Sequence, residues 1–208
     1  MFCFSVYLLS AVSSITPNDE TRNFILEKVF VEDQSEVETT TFGFIEILSE
    51  LSKMEQPTYR EDLYLNYTLS QIIFDKVERS LRSRREGGKC QEELASMAFK
   101  LKERCAVGAK IAKATRWMGK REVGKYKRAH PDMFAKERTL EEATSKIAFD
   151  LSRYTDHVIA LNQKKLSPET AAFLKRHLED RMAKDASSDL LLGAYQKLHG
   201  FFSQRETV

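Results

Sequence analysis

Apolar residues recur along most of this chain at the 3.6-residue period of helices, and no run of Val, Ile and Thr carries the two-residue period of a strand. Phe24, Ile25, Val29 and Phe30 mark a short helix over residues 20–31. Asp33 to Thr41 is polar, acidic and rich in Thr, and predicts a loop. From Phe42 to Met54 the helical spacing returns, with Phe44, Ile45, Leu48 and Leu51 on one face, and Pro57 ends it. A long helix follows over residues 59–85 through Leu63, Tyr67, Phe74, Val77 and Leu81, stopped by Gly87-Gly88. The next stripe, from Gln91 to Met118, runs through Leu94, Met97, Ala98, Leu101, Cys105 and Ile111. It also holds Ala95, Ala106, Gly108, Ala109, Ala112 and Ala114. Small side chains let other backbones approach, so this stretch is expected to be an unbroken rod in the interior.

Gly119 and Gly124 are expected to loosen Lys120 to Arg128, and Pro131 to interrupt the chain. Thr139-Leu-Glu-Glu142 fits a capping box, which predicts a helix from there to about Gln163. Ser167-Pro168-Glu169 is a second start signal: a cap, a proline and an acid. Ser187-Ser188-Asp189 begins the last helix, with Leu191, Ala194, Leu198 and Phe201 inward. Six to eight helices joined by short loops imply an all-α fold, an antiparallel multi-helix bundle. Residues 1–56 form an acidic N-terminal region with short helices. Residues 57–208 form the bundle, with a candidate split near 129–138.

Composition supports this reading. The 208 residues are 42% hydrophobic, with only eight Gly and four Pro. That is apolar enough for a core, and too poor in turn residues for an all-β fold. The net charge is only +2, but it is unevenly spread. Residues 1–56 carry three basic and ten acidic side chains, residues 57–128 carry eighteen and nine, and the remainder is balanced. Asymmetry of this kind points to an anionic partner or to an acidic third that covers a basic one.

No motif names an activity. The histidines His130, His157, His177 and His199 share no helical turn, and no Cys-x-x-Cys occurs, so no metal site is expected. Phosphate-binding glycine loops and the nucleophile-elbow pattern are absent, so neither a cofactor nor an enzymatic activity is expected. Cys90 follows Arg84, Arg85 and Lys89 at a helix start, a setting that favours the thiolate. Cys105 sits on an apolar stripe, where a thiol acts as a small hydrophobe. One helix separates the two by fifteen positions, about 22 Å, too far for a disulfide. Free thiols favour an intracellular setting. Residues 1–14 have the apolar run and small residues of a secretory signal but no preceding Lys or Arg; were they one, the protein would be secreted. Asn66-Tyr-Thr68 fits the glycosylation pattern but falls inside a predicted helix.

His130-Pro131-Asp132, preceded by the basic run Lys125-Tyr-Lys-Arg128, resembles the signature of the J domain, the module that stimulates Hsp70-type chaperones. The resemblance covers about twenty residues. It implies that His130 and Asp132 contact a chaperone. The sequence departs from that family at Glu122, Lys125 and Lys127, where its preceding helix is apolar, and it lacks the family's first helix of Tyr and Leu.

Two basic clusters form the candidate binding surface. One is Arg79, Arg82, Arg84, Arg85 and Lys89; the other is Arg116, Lys120, Arg121, Lys125, Lys127 and Arg128, interleaved with Trp117 and Tyr126. Cations beside aromatic rings suit nucleic acid, where phosphates meet charge and bases stack. The clusters are expected at opposite poles of the bundle. The leading expectation is a non-enzymatic protein-interaction or assembly protein that binds a protein partner or itself through helix faces. The alternative is an anion-binding helical protein that contacts nucleic acid through residues 79–89 and 116–128. A third is a secreted bundle holding a small apolar ligand. No membrane partner is expected.

Overall fold

The computed structural model describes residues 36–55, 60–83, 88–163, 166–184 and 189–205. The chain divides into two compact units, residues 1–33 and 34–208, and all the described residues belong to the second. They form seven helices in an all-α multi-helix bundle: α1 (Glu36–Glu55), α2 (Arg60–Arg82), α3 (Gly88–Thr115), α4 (Lys120–Ala129), α5 (Pro131–Asn162), α6 (Pro168–Lys184) and α7 (Asp189–Arg205). The expected helix over 20–31 and the signal-like residues 1–14 lie outside the described residues.

Helix direction follows from the pairs that touch. Between α2 and α3, the Gln91 amide donates to the Leu81 carbonyl, Lys102 bridges Glu78 and Asp75, Tyr67 packs on Gly108 and Lys113 lies over the Tyr64 ring. Partners rise in number on one helix as they fall on the other, so the two are antiparallel. The same holds for α1 and α2, where the Ser70 hydroxyl donates to Glu50 and Val77 faces Gly43. It holds again for α3 and α5, where Arg104 bonds Thr144 and Glu93 stands beside His157. Gly88 adopts a φ of 58°, the left-handed conformation glycine takes without steric cost, where the chain reverses into α3.

The interior rod is α1, not α3, which corrects the sequence expectation. Every side chain from Thr39 to Ser52 is buried, and α1 packs against α2, α3, α5 and α6. α3 is unbroken as expected, but it ends at Thr115, before Met118. It also keeps a wet face at Phe99, Lys100, Lys110 and Lys113. Residues 36–41, expected in a loop, are the first turns of α1, with Thr39, Thr40 and Thr41 buried. A threonine hydroxyl can be buried once it is hydrogen-bonded, and Thr41 accepts from the Asn162 amide at 2.7 Å.

The polar side chains of α1 clamp the bundle. Glu46 is 0% exposed. It accepts two bonds from the Arg181 guanidinium, Nη2 to Oε1 at 2.8 Å and to Oε2 at 2.9 Å, and a third from Nε at 3.1 Å. His177 Nε2 lies 2.8 Å from Oε1, and its ring stacks on Phe42 at 4.2 Å. Burial pushes the Glu46 carboxyl up, but His177 and Arg181 outweigh it and hold the group below its ordinary value.

The second half departs from expectation in three places. The capping box at Thr139 does not form: the helix begins at Pro131, and Thr139 sits within it, donating to the Ala135 carbonyl at 3.0 Å. Pro131 therefore starts α5, as proline does at a first helical position. Lys120 to Ala129, expected to be loosened by glycine, is the helix α4. In α7 the fully buried aromatics are Tyr195 and Phe202, whereas Phe201 is half-buried. Ser167 does cap α6, accepting from the Thr170 amide at 3.2 Å. The candidate split near residues 129–138 falls on the junction of α4 with α5 and the first turns of the 32-residue α5.

Two predictions follow from this packing. A Cβ on Gly108 would lie 2.9 Å from the Tyr67 ring, whereas a Cβ on Gly200 would meet nothing within 4 Å. Gly108→Ala is expected to cost about 1–3 kcal/mol through overpacking. Gly200→Ala is expected to gain up to about 1 kcal/mol from helix propensity. Urea melts of the two variants would read opposite signs. Glu46→Gln leaves Arg181 without its countercharge and is expected to cost about 2–3 kcal/mol, below the range for fully buried pairs because Arg181 stays 23% exposed. Because the folded Glu46 value is lowered, its contribution is complete above the ordinary carboxylate range and is lost as pH falls through the lowered value. Wild type is therefore expected to lose stability on acidification more steeply than Glu46→Gln.

Candidate functional site

The two basic clusters have different fates. Arg79 pairs with Asp75 at 2.9 Å and Arg82 with Glu78 at 2.9 Å, each one turn back on α2. Both guanidinium groups stay exposed, and Asp75 and Glu78 are shared with Lys102. Lys89 is exposed at the start of α3, while Arg84 and Arg85 lie outside the described residues. Lys89 and Arg116 stand at opposite ends of α3, about 40 Å apart at 1.5 Å per residue. The structure does not bring the two clusters together.

The second cluster is built differently. α4 buries no residue, yet it carries Lys120, Arg121, Lys125, Lys127 and Arg128 against the single acid Glu122. At about 100° per residue, Lys120, Arg121, Lys125 and Arg128 share one side, with Val123 and Tyr126 on the other. Glu122 is occupied: its Oε2 accepts from the Gly119 amide at 2.8 Å, at the positive end of the helix dipole. Arg128 donates to the Gly124 carbonyl at 3.2 Å, and Lys127 lies 5.4 Å from the Phe134 ring centroid. Lys120, Arg121 and Lys125 form no ion pair with any described carboxylate.

Proline sets the angle of this arm. Pro131 has no N–H to extend α4, and its ring disfavours helical backbone at the preceding residue. His130 accordingly sits at φ −130°, ψ 55°. In a straight helix, positions 126 and 134 would stand about 12 Å apart. The rings of Tyr126 and Phe134 are 6.3 Å apart, with His130 at 4.3 Å from Tyr126, so the chain bends at His130 toward this aromatic side. Beneath it, burial and then Glu141 push the Glu137 carboxyl up, partly offset by Lys127 and Arg104.

At the other end of the arm stands Trp117. It is 75% exposed, and the Arg116 guanidinium lies 4.9 Å from its ring centroid. Met118 N–H donates to the Thr115 carbonyl at 3.0 Å, which fixes the turn that presents the indole. Three cations at the same end were not singled out in the sequence: Lys110 and Lys113 in the last turns of α3, and Arg138 near the start of α5, all exposed. Their signal was available, since each sits at a polar position of an apolar stripe within two or three turns of the arm.

The other candidates carry no chemistry here. Burial and then Glu93 push the Cys90 thiol up to about 11, which overturns the expectation of a favoured thiolate. Burial and then Glu50 push Cys105 up to about 12. Both thiols are free. Glu46 is committed to Arg181 and His177. Among the described residues no group of three or more His, Cys, Asp and Glu is placed to hold a metal ion, and no helix is long and apolar enough to cross a membrane. His130 and Asp132 are exposed at the bend, but the preceding helix, apolar in J domains, buries nothing here. No family model matches the chain, and neither does any curated protein or solved structure.

The thiols yield a direct check. In the native protein near neutral pH, an aromatic disulfide reagent is expected to leave Cys105 untouched and to label Cys90 slowly, with full labelling only in denaturant. Rapid native labelling of Cys90 would show a thiolate that burial does not suppress.

Proposed function

We propose that this protein is a non-enzymatic nucleic-acid-binding module whose contact element is the α4 arm. One observation carries the reading: a helix that buries no side chain presents five cations against one occupied acid. A helix normally persists by burying a face. One that spends its sequence on exposed, unneutralised charge is suited to a polyanion, which repays each cation with a phosphate and releases counterions. The neighbouring aromatics favour nucleic acid over a purely acidic protein surface, because rings add a contact that carboxylates cannot use. Arg79 and Arg82 take no part in this reading, because each pairs with a carboxylate one turn back.

The assembly reading stands second. It draws on apolar side chains left at the surface, and the large exposed ones among the described residues are Phe99, Phe173, Leu192 and Trp117, each on a different element.

Salt dependence tests the proposal. With five phosphates neutralised, binding to a labelled single strand is expected to fall with a log–log slope of about −3.5, a loss of about a hundredfold between roughly 50 and 200 mM salt. Arg121→Ala with Lys125→Ala removes two contacts, and the slope is expected to flatten by about 1.4. Lys100→Ala, on the exposed face of α3, is expected to leave it unchanged. No binding at low salt, a flat salt response, or capture by anionic lipid vesicles but not by oligonucleotide would overturn the proposal.

A further inference from the structure

We infer that the Trp117 indole is a stacking platform for an unpaired nucleobase, so that the arm selects single-stranded over double-stranded nucleic acid. The inference rests on the reading of α4 as a nucleic-acid contact and names which kind of nucleic acid it takes.

Trp117 is the chain's only tryptophan and the most exposed of its large hydrophobic side chains among the described residues. An indole carries a large apolar area and is on average one of the more buried side chains. At 75% exposure it has no packing role that accounts for it. It is nevertheless held: the Thr115–Met118 turn pins its backbone, and the Arg116 guanidinium stands over the ring at 4.9 Å. A guanidinium can cover only one face of a ring, and a side chain 75% exposed has room for a partner on the other. A planar ring with a cation on one face and solvent on the other suits a second planar π-system.

The placement fits a strand running along the arm. Lys120 and Arg121 follow three and four residues after Trp117, at the start of α4. Phosphates that engage them would bring an adjoining base near the indole. In a duplex the base faces are already stacked on one another, and only their edges reach a protein. In a single strand every base offers a free face, whatever its sequence. The charged side of α4 would therefore hold either form, while Trp117 adds affinity for the single strand alone. One stacked base corresponds to a preference of about ten- to a hundredfold.

A sole tryptophan makes the test direct. The full chain is titrated at low salt with an oligothymidine strand and with a duplex of matched length. Tryptophan emission is read beside the anisotropy of a label on the nucleic acid. The expected result is quenching by the single strand, and weaker binding without quenching by the duplex. Trp117→Ala is expected to erase the strand preference and keep the salt slope, and circular dichroism checks that this exposed substitution leaves the helices intact. Single-strand binding without quenching, or an unchanged preference in Trp117→Ala, overturns the stacking inference and leaves the charge-based reading standing. Failure of both nucleic acids to bind at low salt overturns the two together.

Discussion

The bundle depends on keeping an ionised carboxylate in its interior. Glu46 lies on α1, the helix enclosed by α2, α3, α5 and α6, where a lone charge would be expelled or neutralised. Arg181 meets it with a bidentate fork, and His177 takes a further bond while stacking on Phe42. These contacts fix the height and rotation of α6 against α1. Asn162 does the same for the end of α5 through Thr41. Glu50 ties α1 to α2 through Ser70. Apolar burial would hold α1 in many registers, whereas these directional bonds select one.

Charge is sorted by position. The carboxylates of α1 and α2 that are buried or half-buried have cationic partners: Glu46 has Arg181, Glu78 has Lys102 and Arg82, and Asp75 has Arg79. On α4 the matching stops, and Lys120, Arg121 and Lys125 extend into solvent without a described carboxylate. The contrast is a matter of cost. An unpaired charge is prohibitive in the interior and nearly free in water, so unpaired cations are tolerated only where nothing is buried. That the same segment also exposes Trp117, a side chain that gains nothing from water, separates it from an ordinary solubilising surface.

Much of the architecture was legible in the sequence. The stripes of α2, α3, α6 and α7 are set by apolar spacing alone, and the Ser167 cap formed where its chemistry indicated. The helix from Phe42 to Met54 was legible, but the first turns of α1 read as a loop because Thr39, Thr40 and Thr41 look solvent-facing, and nothing local marks Glu46 as buried. Arg181 and His177 lie more than 130 positions away, beyond any local pattern. Thr139 was misread for the opposite reason: its local motif was sound, but Pro131 had already started the helix eight residues earlier. At the candidate site, the cations and rings of residues 116–128 were visible in the sequence. The pairing of Arg79 and Arg82 was legible as well, since Asp75 and Glu78 stand four positions before them on a stretch that reads as helix.

The persistence of α4 bears on what it is for. Ten residues are too few for a stable isolated helix, and this one has only the half-buried Val123 and Tyr126 to hold it. Arg121 and Lys125 stand one turn apart and repel, as do Lys125 and Arg128. Against that, Glu122 sits at the positive end of the dipole, and Lys127 and Arg128 sit at the negative end. Anchors complete the balance: Gly119 is held by Glu122, and Tyr126 is held against His130 and Phe134 at the proline bend. The free arm therefore retains an electrostatic penalty that no residue in it relieves. On the proposed reading, a polyanion along its charged side would remove that penalty and bind the helical form better than the frayed one, so that binding and ordering of the arm would reinforce each other.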